Sequence, residues 1–237
     1  FETREHLRAV PPDECFHAPV PHWGGPWQTC WFKGRYQPSE QLAGRALYLM
    51  PRVGGYEAML KSSLSLEKVY NFAVGSSGLT RKTPVGMLEV LDKNPVPEDA
   101  DLFLIWHGSN DWYWGSRLEE FSHGVKEAVN RLRAATPTAE LVWVTPIYRF
   151  ECPDGMTQAG EAYELPNKNG YTMLDYYEEL ERSSKRLGFP LIDMRRLCGI
   201  HRDNAGIYLE DRVHPNRAGY QRIGAVLERE IQRFCIY

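Results

Sequence analysis

Asp101-Leu-Phe-Leu-Ile-Trp-His-Gly-Ser-Asn-Asp111 is a short apolar run that stops at a glycine and then presents an amide and a carboxyl group. An apolar run of this length, bounded by an acid and a glycine, reads as a strand covered on both faces, as in a parallel sheet. Four other segments read as strands: Ala46–Met50, Val69–Val74, Leu141–Thr145 and Pro190–Met194. Between them, Leu118, Phe121, Val125, Val129 and Leu132 recur at the spacing of an amphipathic helix, as do Tyr220, Ile223, Leu227, Ile231 and Phe234 near the C-terminus. Met173–Leu187 reads as a third helix, closed by Gly188 and Pro190. Alternation of this kind, with right-handed crossovers, predicts a three-layer α/β/α sandwich around a mostly parallel five-stranded sheet. In such folds ligands bind at the carboxyl ends of the strands, which is where Gly108–Asp111 falls.

The α/β pattern occupies residues 44–237. Residues 1–43 differ, being rich in Pro, Trp and Gly without helical period, and read as an irregular N-terminal extension; a remnant of a β-sandwich is the alternative. The connection from Phe150 to Gly170 is the longest and is a candidate lid. Lys and Arg total 28 against 31 Asp and Glu, a formal charge of −3 with no basic stripe, which argues against nucleic acid as the partner. No apolar stretch reaches the roughly 20 residues that span a bilayer. The first residues lack the charged-then-apolar pattern of a leader. Five scattered cysteines (Cys15, Cys30, Cys152, Cys198, Cys235) read as reduced thiols in a cytoplasmic setting, with a Cys15–Cys30 bridge as the alternative. No Cys/His spacing suits a metal and no phosphate-loop pattern occurs, so the reading implies no cofactor.

Three places carry chemistry. Asn110, just past a strand and a glycine, can aim amide N–H groups into the crevice above the sheet and stabilise a developing oxyanion; the bland reading is a turn-forming Asn. Asp211 stands three residues before His214, close enough for its carboxylate to accept the Nδ1 proton and leave Nε2 as a general base; the bland reading is a surface pair or a helix cap. Val69–Gly78 runs from a strand into a Gly/Ser turn whose backbone N–H groups, at Gly75 or Ser76, make a second oxyanion donor. Trp112, Tyr113 and Trp114 follow Asn110 directly. Trp112 and Trp114 read equally as substrate-lining aromatics or as packing beside the sheet. His107 reads as a packed histidine.

Asn71-Phe-Ala-Val-Gly-Ser-Ser-Gly78, Leu104-Ile-Trp-His-Gly-Ser-Asn-Asp-Trp112, Val144-Thr-Pro-Ile147 and Asp211-Arg-Val-His-Pro-Asn-Arg-Ala-Gly-Tyr-Gln-Arg-Ile-Gly224 follow in an order and spacing that resemble the SGNH (GDSL-type) hydrolases, over roughly residues 45–235. The resemblance implies a flavodoxin-like sandwich that hydrolyses small acyl or acetyl esters through a Ser-His-Asp arrangement, carbohydrate being one candidate for the alcohol part. It makes His214 the base, Asp211 its orienter, Asn110 the side-chain oxyanion donor and Gly75 or Ser76 the backbone donor. The family's Gly-Asp-Ser block is the departure. After Ala46–Met50 the chain reads Pro51-Arg-Val-Gly-Gly-Tyr56, with Arg52 at the nucleophile's place, and a guanidinium cannot attack an ester. Lys61-Ser-Ser-Leu-Ser65 resembles the family string and offers Ser63, against the plainer reading of solvated serines on the first crossover helix. With the nucleophile open, a catalytically degenerate member that binds a carbohydrate or a protein is the alternative function.

Overall fold

The computed structural model describes residues 57–234 and the backbone of the strand 46–50. Arg52, Cys15, Cys30, Cys235 and the segment 1–43 lie outside the described residues. Five parallel strands form one sheet: β1 (Ala46–Met50), β2 (Lys68–Asn71), β3 (Leu102–Ile105), β4 (Glu140–Val144) and β5 (Leu191–Ile192), in the order β2-β1-β3-β4-β5. The chain moves from β1 to one side and then crosses to the other, so the strand order reverses between β1 and β3. That reversal opens a crevice at the carboxyl ends of β1 and β3. The helices are α1 (Glu57–Ser63), α2 (Met87–Lys93), α3 (Ser109–Trp114), α4 (Leu118–Ala135), α5 (Met173–Leu187), α6 (Met194–Leu197), α7 (Ala205–Tyr208) and α8 (Arg217–Phe234). Among the described residues no helix is long and apolar enough to cross a membrane.

Alternation along the strands sorts the core into two layers. Phe103, Ile105, Leu141 and Trp143 pack with buried residues of α2, α4 and α5. Leu102, Leu104, Val142, Val144 and Ile192 pack on the other face with Leu60 of α1 and Ile223, Leu227 and Ile231 of α8. Each such side chain contributes roughly 1.5–3 kcal/mol by leaving water, which explains why strands covered on both faces carry few polar residues. The helix ends follow local rules. Thr172 and Asp175 form a capping box at the start of α5, and Gly188, at φ 66°, closes it. Asn216 caps α8, its Oδ1 accepting from the Gly219 N–H at 3.1 Å.

The 150–170 connection is tied to the body of the fold by main-chain and side-chain hydrogen bonds. Phe150–Glu151 pairs antiparallel with Gly160–Glu161. The Trp112 indole donates to the Leu165 carbonyl at 3.0 Å, and Asn167 donates to the Trp112 carbonyl at 3.1 Å and to the Tyr176 hydroxyl at 3.0 Å. These bonds sew the segment to α3 and α5.

Candidate active site

Gly108 sits at φ 123°, a backbone conformation that side chains other than hydrogen rarely adopt, and a Cβ there would lie 3.1 Å from Pro146. The turn it permits starts α3 directly at the end of β3, so Ser109 and Asn110 stand at the rim of the crevice. The Asn110 Oδ1 accepts from Arg149 Nη1 at 3.0 Å and its Nδ2 donates to the Ser77 carbonyl at 2.9 Å. This pattern assigns the amide's orientation and leaves the second Nδ2 hydrogen without a partner among the described residues. The next residue, Asp111, is fully buried and accepts from the Leu79 N–H at 2.9 Å, the Thr80 N–H at 3.2 Å and the Ser116 hydroxyl at 3.3 Å. Burial pushes its carboxyl up to about 6 against the pull of those bonds.

The same anchoring shapes the turn after β2. Ser77 N–H donates to the Val74 carbonyl at 3.2 Å, and within this turn Ser76 takes φ 62°, the left-handed conformation that glycine ordinarily supplies. The Ser76 carbonyl accepts from the Trp114 indole at 3.0 Å. The Ser77 carbonyl takes the Asn110 amide and a bond from the His107 ring. His107 is itself buried, which lowers its pKa to about 4 and keeps it neutral. The N–H groups of Gly75 and Ser76 carry no hydrogen bond among the described residues. Two backbone donors and one amide hydrogen therefore stand uncommitted around a single stitched turn, the composition an oxyanion hole requires.

His214 belongs to a closed loop before α8. Leu209 bridges Pro215, the Glu210 N–H donates to the His214 carbonyl at 2.9 Å, and the Asn216 N–H donates to the Tyr208 carbonyl at 2.9 Å. Inside it, Asp211 Oδ2 lies 2.5 Å from His214 Nδ1, while Oδ1 accepts from the His214 N–H at 2.7 Å and the Val213 N–H at 3.0 Å. Partial burial raises the Asp211 carboxyl, but those bonds outweigh it and hold the group below the usual carboxylate range. An ionised Asp211 accepts a hydrogen bond from Nδ1–H, which keeps the proton on Nδ1 and leaves the free lone pair on Nε2. That Nε2 is shielded from solvent and has no hydrogen-bond partner among the described residues.

Two sequence-based candidates fall elsewhere. Ser63 is the exposed last residue of α1, which leads into the amino end of β2, so it lies at the opposite end of the sheet from Asn110. A nucleophile is needed at the carboxyl ends, and Ser63 is not brought there. Trp112 does not line the crevice: it is 0% exposed and packs in the core against the α4 and α5 layer. Trp114 is half-buried against the Ser76 turn, edge-on to Tyr113 with ring centroids 4.9 Å apart. Arg149 is the residue that sequence reading passed over. Its side chain is only 5% exposed and holds Ser109 and Asn110. The available signal was a lone charge between Tyr148 and Phe150, past the carboxyl end of β4.

Residues 42–222 match the model of the GDSL-like lipase/acylhydrolase family. Among solved structures, a protein from Lactobacillus plantarum superposes with a TM-score of 0.66 at 20% identity, over 80% of this chain and 96% of its own. The lipase/acylhydrolase from Enterococcus faecalis gives 0.59 at 16% identity, over 80% and 96%. A carbohydrate esterase family 3 protein from Talaromyces cellulolyticus gives 0.57 at 13%, over 81% and 98%. At such identities the likeness is one of fold. No curated protein matches the chain.

Proposed function

Because this chain belongs to the GDSL-like lipase/acylhydrolase family, we propose that it hydrolyses small acyl or acetyl esters with His214 as general base. The observation that carries the reading is the Nε2 of His214, buried, without a partner among the described residues and backed through Nδ1 by Asp211. Nε2 takes the proton of an attacking hydroxyl as its oxygen bonds to the ester carbonyl carbon. The carbonyl oxygen, now an anion, receives hydrogen bonds from Asn110 Nδ2 and the N–H groups of Gly75 and Ser76. A donor so placed is worth roughly 3–4 kcal/mol in the transition state. Collapse expels the alcohol, which recovers the proton from His214. Where the hydroxyl belongs to a serine, water repeats the sequence on the acyl-enzyme. Half-buried Trp114, bonded to the Ser76 carbonyl, supports a sugar as the alcohol part.

The family pattern puts the nucleophile straight after β1, and there Pro51–Tyr56 contains no serine, threonine or cysteine. Ser76, Ser77 and Ser109 are the serines beside Asn110. The same gap supports a second reading, a non-catalytic member that holds an acylated carbohydrate in this crevice. Turnover of p-nitrophenyl acetate separates the two. Hydrolysis above background that disappears in His214→Ala supports the esterase, and fluorophosphonate labelling then identifies the serine used. No turnover and no label, with retained binding of an acetylated sugar, supports the second reading.

A further inference from the structure

Arg149 is a buried cation with three different acceptors on one nitrogen. Its Nη1 donates to the Ser109 carbonyl at 3.1 Å, to Ser109 Oγ at 2.9 Å and to Asn110 Oδ1 at 3.0 Å. The other side of the guanidinium is clamped by Glu151, whose Oε2 accepts from Nε at 2.7 Å and also from Nη2. The plane sits over the Tyr113 ring, 4.9 Å from its centroid. The following residue faces the other half of the site. The Phe150 N–H donates to the Arg212 carbonyl at 3.1 Å, and the Arg212 guanidinium lies 4.1 Å over the Phe150 ring. Arg212 is the residue between Asp211 and His214 in which the loop takes φ 65°.

We propose that Arg149 is the positioning residue of the oxyanion hole, setting the Asn110 amide. The inference rests on the reading of Asn110 as an oxyanion donor and adds a residue to that machinery. A guanidinium is always charged and donates only, so it admits the oxygen of Asn110 and excludes its NH2 from that position. The amide cannot flip. A cation on Oδ1 also draws electron density from the amide nitrogen, which strengthens Nδ2–H as a donor toward an anion. Glu151 holds the fork at the angle that reaches both Ser109 and Asn110.

A double-mutant cycle with Asn110 distinguishes this role from a merely structural one. Arg149→Met is expected to lower kcat about tenfold or more with KM within about twofold, and to have no further effect in an Asn110→Ala background. Glu151→Gln, on a partly exposed side chain, is expected to give a smaller loss that likewise vanishes there; it carries the test if Arg149→Met does not fold. Losses that multiply in the double variants overturn the proposal. Wild-type activity in both Asn110→Ala and His214→Ala overturns the esterase reading instead. A second readout needs no turnover. The Asn110 side-chain amide NMR signal, assigned by its loss in Asn110→Ala, is expected to move and exchange faster with water in Arg149→Lys and Glu151→Gln. An unmoved signal in both overturns the proposal whatever the activity.

Discussion

Asp211 grips His214 at two points: one carboxylate oxygen lies 2.5 Å from the ring Nδ1 and the other accepts the residue's own backbone N–H at 2.7 Å. Ring and backbone are thereby fixed to one another within four residues of chain. The carboxylate sets the tautomer, and the tautomer decides whether Nε2 can accept a proton.

Asp211→Asn tests this. The Asn oxygen can still accept the Val213 and His214 N–H groups, so the loop should keep its shape and Tm should change little. The NH2 that replaces Oδ2 turns Nδ1 into an acceptor and puts the ring hydrogen on Nε2. We expect kcat on p-nitrophenyl acetate to fall about 10²–10⁴-fold with KM nearly constant. Activity within about twofold of wild type would remove Asp211 from the mechanism.

Ser76→Gly examines the turn after β2. At φ 62° an L-residue is strained by roughly 1–2 kcal/mol, partly offset by the extra unfolded-state entropy of glycine. The variant should therefore be as stable as the parent or up to about 1 kcal/mol more so. It keeps the N–H and should keep activity within about threefold. Loss of turnover would show that the Ser76 hydroxyl takes part and would make it the nucleophile to label. Ser63→Ala, far from the crevice, should leave activity unchanged.

The parts of this site that are legible in the sequence depend on chain position alone. Asn110 stands just past the carboxyl end of a recognisable strand and His214 in the loop that leads into the last helix, and Asp211 is bound to His214 by local spacing. Residues 112–114 read as one aromatic surface only while treated as a string. On the six-residue helix α3, at about 100° per residue, Trp112 turns into the core and Trp114 toward the Ser76 turn. Ser63 matched a family string but belongs to a seven-residue helix whose far end it forms. Arg149 is invisible for another reason. Its partners in the site, Asn110 and Ser109, are 39 and 40 residues away, and only the folded sheet brings them together.

Trp112→Ala and Trp114→Ala should separate packing from site geometry. Trp112 fills a core position and its indole satisfies the Leu165 carbonyl, so truncation should cost about 3–5 kcal/mol and lower Tm by roughly 10 °C. Trp114 is half-buried and braces the Ser76 carbonyl; its loss should lower kcat more than Tm. Equal Tm losses with unchanged kcat in Trp114→Ala would remove it from the site.

The stability of the fold should carry an unusual pH signature, because two buried groups, one either side of the β3–α3 turn, are shifted by burial in opposite directions. His107 is depressed from 6.5 to about 4 by burial. Its unfolded form binds the proton more tightly, so its contribution to stability is complete above pH 6.5 and is lost as pH falls toward 4, by about 3 kcal/mol in all. Asp111 is raised from 3.8 to about 6, again by burial. Its folded form binds the proton more tightly, so stability rises as pH falls from 6 toward 4, by a similar amount. Over this window the two largely cancel. His107→Gln keeps a donor for the Ser77 carbonyl and removes the titration. Between pH 6.5 and 4.5 its Tm should therefore decline less than that of wild type, or rise, leaving the Asp111 contribution exposed. Tm–pH curves that run parallel for the two proteins would show that His107 does not titrate between the folded and unfolded states as its burial dictates.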